Sequence, residues 1–242
     1  MSALPPTIRA LTVDTGGTVL DWYSGILREL QEFGRTRGLT ADWSAVAKRW
    51  RRLSTVMVDD GMPQENGIAT LDFDDVLRIT QEQTWREFGL PVADADTRAE
   101  LLAMWRRLDP WPDVRRALPR LRAKFRVAPF TILKTTMLIE TSRRGGLDWD
   151  CIISCEMIGT YKTKRPAYDT AAHWLGVAPA NILMVTGHNN DLIAAHSYGF
   201  RTAFIHRPKQ WGDEPPQFPE ADDRADFVCR DFADLAEQLG CP

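Results

Sequence analysis

The chain has little cysteine, no long apolar run and no excess of either charge. Four cysteines in 242 residues, Cys151, Cys155, Cys229 and Cys241, are too few for a disulfide scaffold. Cys151 and Cys155 stand four apart, but no second pair and no nearby His completes a zinc set, so all four read as buried thiols. No segment approaches the roughly 18 consecutive apolar residues of a membrane span. Met1 to Arg9 lacks the charged start and apolar centre of a signal peptide, which makes the cytoplasm the default expectation. Thirty Lys and Arg against 33 Asp and Glu give a net charge of −3, which argues against an electrostatic nucleic-acid binder. The arginines are scattered among apolar and acidic residues and read as solvated helix faces. No internal repeat and no low-complexity tract is present.

What is there is an ordinary globular composition, 44% apolar and 26% charged. At roughly 100–200 residues per domain, the length suits one large domain or a core with an insert. Ile8 to Val13 reads as a buried strand ending at Asp14, followed by the tight loop Thr15-Gly16-Gly17-Thr18. From Trp22 to about Asp109 the apolar spacing is helical, as in Ile26, Leu27, Leu30 and Phe33, with breaks at Gly34 to Leu39, Gly61 to Gly67 and Gly89-Leu90-Pro91. No strand is expected there, and Trp43, Trp50, Trp85 and Trp105 read as helix packing. Pro110-Trp111-Pro112 marks a boundary.

Beyond it, strands at Phe125 to Leu133, Cys151 to Ser154, Ile182 to Val185, Thr202 to Ile205 and Phe227-Val228 alternate with helices. This pattern predicts an α/β protein with a doubly wound parallel sheet and a helical insert after the first strand. The expected division is a core of residues 1–22 and 110–242 and a helical cap of residues 23–109. Ligands of such sheets bind outside the carboxyl ends of the strands, which gathers Asp14, Thr131 and the loop from Thr186 to Asp191 in one cleft.

Asp14, between a buried strand and a Gly-rich loop, is either a nucleophile cradled by loop N–H groups or an ordinary turn aspartate. Lys162 is either its partner, keeping it ionised, or a surface lysine. Thr186-Gly187-His188-Asn189-Asn190-Asp191 follows a strand; it forms a polar site, unless Asp191 is simply a helix N-cap. His188 lacks companions at metal-ligand spacing. His173, His196 and His206 read as structural or surface residues.

Taken together, these segments resemble the haloacid dehalogenase superfamily, and within it the type II L-2-haloacid dehalogenases. The resemblance rests on Ala10-Leu11-Thr12-Val13-Asp14-Thr15-Gly16-Gly17-Thr18-Val19-Leu20-Asp21-Trp22, Arg49-Trp50-Arg51, Leu108-Asp109-Pro110-Trp111-Pro112-Asp113, Tyr161-Lys162 and the stretch from Val185 to Arg207-Pro208. They occur in the family's order and cover nearly the whole chain. The resemblance implies the superfamily's Rossmann-like core with a helical cap. It makes Asp14 the nucleophile, with Thr18, Lys162 and Asp191 as its supporting network and Tyr168 beside them. Arg51 becomes the cap arginine facing the leaving group, and Thr131 a substrate-carboxylate ligand. Thr186 and His188 take positions usually held by small polar residues. A homodimer is also implied, and no metal or organic cofactor is required.

The chain departs from the family pattern at three places. Thr131-Ile132-Leu133 replaces Ser-Asn-Gly, so Ile132 offers no donor to a leaving halide. Gly16 replaces a Tyr of the dehalogenases, and also the second Asp by which the superfamily's phosphatases protonate a leaving alcohol. Thr163-Lys164-Arg165 replaces Pro-Asp-Pro after the lysine. Two readings follow. One is a dehalogenase that converts a small 2-haloacid to its 2-hydroxy acid. The other is a C–N ring-opening hydrolase of the L-azetidine-2-carboxylate hydrolase kind. A phosphatase and a non-catalytic binding protein rank below both. In either main reading, N–H groups from Thr15 to Gly17 with Thr131 hold the carboxylate of a small-molecule substrate. Asp14 attacks C2, and water activated near Asp191 with help from Lys162 cleaves the aspartyl ester. Neither nucleic acid nor membrane is an expected partner.

Overall fold

Strand β1 (Ala10–Val13) is wholly buried, and the sheet grows from it on both sides. The computed structural model describes residues 7–59, 62–65 and 68–241. Most of the segment read for a signal peptide, and Gly61 and Gly67 of one helix break, lie outside the described residues. After β1 come α1 (Trp22–Arg37), α2 (Trp43–Asp59), the short strands β2 (Gln64–Glu65) and β3 (Ile68–Ala69), α3 (Phe73–Glu87), α4 (Ala95–Met104) and a 3₁₀ turn at Trp105–Arg107. Then follow α5 (Pro112–Arg122), β4 (Arg126–Thr131), α6 (Thr135–Gly145), β5 (Ile153–Ser154), α7 (Cys155–Ile158) and α8 (Arg165–Leu175). The chain finishes with β6 (Ile182–Thr186), α9 (Asn189–Ser197), β7 (Arg201–Ile205), β8 (Phe227–Cys229) and α10 (Phe232–Gln238).

Six strands form one parallel sheet in the order β5-β4-β1-β6-β7-β8. The chain leaves β1 to build β4 and β5 on one side, then returns to build β6, β7 and β8 on the other. The strand order therefore reverses at β1, and the crevice beyond its carboxyl end is where such sheets hold ligands. Val13 is in register with Pro129 on one side and Val185 on the other, so Asp14 emerges between the ends of β4 and β6. Strands β1 and β6 are buried along their whole length, as a sheet covered on both faces requires.

The helices follow from local signals. Asp42 caps α2 by accepting the Ala45 N–H at 3.0 Å, and Asp72 and Asp75 form a capping box at the start of α3. Pro112 stands in the first turn of α5. The expected tryptophan packing is present: Trp50 meets Trp85 and Trp105 edge-on, with ring centroids 5.9 and 5.4 Å apart.

Two expectations need correction and one is sharpened. The segment read as free of strands contains the β2–β3 pair, whose two-residue members are too short to leave a period-2 pattern. The first helix break, expected over Gly34 to Leu39, falls within that stretch at left-handed Gly38. Gly34 lies within α1, where Trp43 lies so close that a Cβ would come within 2.4 Å of its ring. Cys151 is exposed rather than buried, because it precedes β5 instead of lying in it.

Candidate active site

The backbone N–H of Asp14 donates to Val185 O at 2.9 Å, which fixes the residue at the end of β1. The residue is only 6% exposed, and its carboxylate receives a donor on each oxygen. Lys162 Nζ donates to Oδ1 at 2.8 Å, and Thr18 Oγ1 donates to Oδ2 at 2.7 Å. His188 Nδ1 stands 3.2 Å from Oδ2. Burial alone would favour the neutral acid, but Lys162 and His188 outweigh it and hold the carboxyl far below the usual aspartate range.

Lys162 uses all three of its ammonium hydrogens. They reach Asp14 Oδ1 at 2.8 Å, Asp191 Oδ2 at 2.7 Å and the Phe130 carbonyl at 3.0 Å. Burial opposes its charge, yet the two carboxylates raise its pKa above the ordinary lysine value. Asp191 lies in the first turn of α9, whose N-cap residue is His188, so the reading of Asp191 as the cap falls. Its other oxygen accepts the Tyr168 hydroxyl, a phenol kept neutral by burial and by the adjacent Asp191 charge.

Behind this charged row stands a scaffold of hydroxyls. Thr18 Oγ1 also accepts the Gly187 N–H at 2.9 Å, Thr15 and Thr131 share a bond of 2.5 Å, and Thr186 Oγ1 accepts the His188 N–H at 3.1 Å. Thr15, Gly17, Thr18, Thr131, Tyr168 and Thr186 therefore back the cavity rather than line it. This corrects two expectations. Thr131 is fully buried between Thr15 and the Leu133 N–H, and the Gly17 N–H donates to Leu20 O at 3.1 Å. Neither is free to hold a substrate carboxylate.

The cavity has a volume of about 70 Å³. Asp14, Gly16, Ile132, Lys162, His188 and Asp191 line its core side. Helix α2 supplies Arg51, Thr55 and Val58, spaced so that all three fall on one face. Arg51 is buried, and its Nη2 reaches the Gly16 carbonyl at 3.5 Å. Asp14, Asp191, Lys162 and Arg51 carry no net charge together, so an incoming carboxylate meets a balanced site.

Several contributors carried no sequence signal. Gln210, almost fully buried, sets Nε2 at 2.9 Å from His188 Nε2. Trp211, Gln217 and Phe218 come from the same long loop after β7. Glu214 ties that loop to α2 through Lys48, at 2.9 Å, and Arg52. Arg207 anchors it by a forked pair to Asp113 (3.0 and 2.9 Å) and by Nε to the Thr18 carbonyl at 2.9 Å. Arg207 and Asp113 both lie within recognisable motifs, but only folding discloses their pairing.

No protein-family model matches the chain. It is 29% identical over 221 residues to an (S)-2-haloacid dehalogenase of Pseudomonas sp. (strain YL), covering 88% of this chain and 89% of that one. It is 26% identical over 221 residues to (S)-2-haloacid dehalogenase 4A of Burkholderia cepacia, covering 88% and 87%. The fold superposes on the crystal structure of an L-2-haloacid dehalogenase with a TM-score of 0.89 and 30% identity, over 96% of this chain and 99% of that one. A defluorinating L-2-haloacid dehalogenase gives a TM-score of 0.89 and 31% identity over 97% and 96%. With this fold, this strand-end aspartate and lysine, and identity sustained over nearly full-length chains, the protein belongs to the haloacid dehalogenase superfamily, in the group of the L-2-haloacid dehalogenases.

Proposed function

We propose that the protein hydrolyses small 2-substituted carboxylic acids by displacement at C2, with a 2-haloacid as substrate and the 2-hydroxy acid as product. The observation that carries this reading is the Asp14 carboxylate, kept ionised by Lys162 and His188 at the wall of a cavity of about 70 Å³. A cavity of that size suits an acid of few heavy atoms. Asp14 attacks C2, the C2–halogen bond breaks, and the halide departs toward the Arg51 guanidinium. The result is an ester on Asp14 with inversion at C2. Water then adds to Asp14 Cγ and releases the hydroxy acid. Covalent catalysis of this kind replaces one difficult displacement by two easier steps. The core of residues 1–22 and 110–242 supplies the nucleophile, and the helical segment of residues 23–109 supplies Arg51.

One turnover of excess enzyme in ¹⁸O-water tests it. The reading expects unlabelled lactate from L-2-chloropropionate and ¹⁸O in the Asp14 carboxylate. Label in the first-turnover lactate would show direct attack by water and overturn the nucleophile.

A second reading is supported by Ile132, which lines the cavity without a donor for a leaving halide. In it, the leaving group is a tethered amine, as in L-azetidine-2-carboxylate, and ring opening gives an amino-hydroxy acid. Assaying both substrates in one pot with Asp14→Asn as control separates the readings by product mass.

A further inference from the structure

We propose that His188 is the base of ester hydrolysis and that Gln210 decides which of its ring nitrogens carries the proton. This rests on the aspartyl-ester reading above and extends it to the second step. The water that attacks Asp14 Cγ must lose a proton to a group beside that carbon. Lys162 has all three hydrogens engaged and is held in its charged form, so it cannot accept one. Thr18 gives its hydroxyl hydrogen to Asp14. Asp191 receives the ammonium of Lys162 on one oxygen and the hydroxyl of Tyr168 on the other, which weakens it as a base and makes it the anchor of Lys162. His188 remains, lining the cavity with Nδ1 3.2 Å from an oxygen bonded to the carbon under attack.

The second ring nitrogen faces an amide. Gln210 presents Nε2 to His188 Nε2 at 2.9 Å. An amide NH₂ only donates, so His188 Nε2 accepts and Nδ1 carries the hydrogen. That tautomer suits the free enzyme, where Nδ1 lies 3.2 Å from the Asp14 carboxylate. Once Asp14 is an ester it has lost its charge. A half-turn of the Gln210 amide then places its carbonyl oxygen at His188 Nε2. The oxygen accepts Nε2–H and leaves Nδ1 bare beside the ester. Gln210 is therefore a positioning residue that serves both tautomers. Its place depends on Gly17: a Cβ there would stand 1.9 Å from Gln210 Nε2, at a backbone φ of +102°. Phe218 sets its ring edge-on to His188.

The step balances without a further reactant. The water oxygen bonds to Asp14 Cγ as its proton passes to His188 Nδ1. The Cγ–O bond to the substrate carbon breaks, and the product alkoxide takes the proton back from the imidazolium. The second water proton stays on Asp14 as its carboxylic acid and passes to solvent, so neutral His188, the Asp14 carboxylate, the 2-hydroxy acid and one released proton result.

Rapid-quench mass spectrometry of the peptide bearing Asp14, with L-2-chloropropionate, separates the two steps. His188→Asn is expected to form the adduct within about tenfold of the wild-type rate and to hydrolyse it ~10²–10⁴-fold more slowly, so that the adduct accumulates. Gln210→Met is expected to slow hydrolysis while leaving kcat/KM, which reports adduct formation, in place, and to change the solvent deuterium isotope effect on the hydrolysis step. Imidazole added to His188→Gly is expected to restore adduct decay, which a packing defect would not permit. Wild-type decay in both His188 variants overturns the proposal. Absence of any adduct in wild type and variants overturns the aspartyl-ester reading itself, and this proposal with it.

Discussion

Replacing Lys162 by Met removes the ammonium that stands between Asp14 and Asp191 and leaves both carboxylates buried. Its bonds to them are 2.8 and 2.7 Å, so the two oxygens can be no more than about 5.5 Å apart. At an effective dielectric of ~20, their mutual repulsion at that separation is about 3 kcal/mol, or roughly two pKa units. Breaking a buried pair by removing one partner costs ~3–5 kcal/mol. For a chain of this length that corresponds to a fall in Tm of about 6–20 °C. The pH dependence has a definite sign. In the wild type the Asp14 pKa is lowered by folding, so its contribution is present above the unfolded value and fades as pH falls. In Lys162→Met the repelled carboxylates bind a proton more tightly folded than unfolded. The Tm gap between the proteins should therefore narrow from pH 7 to pH 4.5. Adding Asp191→Asn should recover about half of the lost stability, since one unpaired charge is gone. Halide release at pH 7 should fall with the protonation of Asp14. A Tm loss under 2 °C, or a gap that widens on acidification, would refute the electrostatic account of this triad.

Further outcomes are expected elsewhere. Gly17→Ala should lower stability by ~1–3 kcal/mol in urea unfolding, through the positive φ and the collision with Gln210, and should slow product release from the ester more than ester formation. Arg207→Ala breaks the forked pair to Asp113 and the tie to Thr18, and should cost ~2–4 kcal/mol in thermal unfolding; Arg207→Lys, which loses the fork, should fall between it and the wild type. Ile132→Asn should raise kcat for chloride release by about tenfold or more, since a hydrogen bond to a charged group is worth ~1.5–3 kcal/mol, without a matching gain on L-azetidine-2-carboxylate. Equal kinetics on both substrates would show that position 132 does not face the leaving group.

Strand-and-helix alternation was legible in the sequence because each central strand is a short apolar run bounded by turn residues. Ile182 to Val185 and Thr202 to Ile205 were placed to within a residue of their observed ends. Asp14, Lys162 and Asp191 each had an ordinary reading when taken alone, a turn aspartate, a surface lysine and a helix cap, and stood out only through the resemblance of their motifs in order along the chain. The β2–β3 pair was not, because two residues per strand leave no period to read. Thr131 shows another limit: its type suits substrate binding, and only packing reveals that Thr15 and the Leu133 N–H already occupy it. Local chemistry thus determined the elements, the sheet class and the residues able to ionise at strand ends. Tertiary structure alone decided which of them meet. Lys162 reaches Asp14 across 148 positions of sequence and Arg207 reaches Thr18 across 189, distances over which no periodicity or propensity carries information. Gln210 is the clearest case: an unremarkable loop residue acquires a role only because Gly17 leaves room for its amide beside His188.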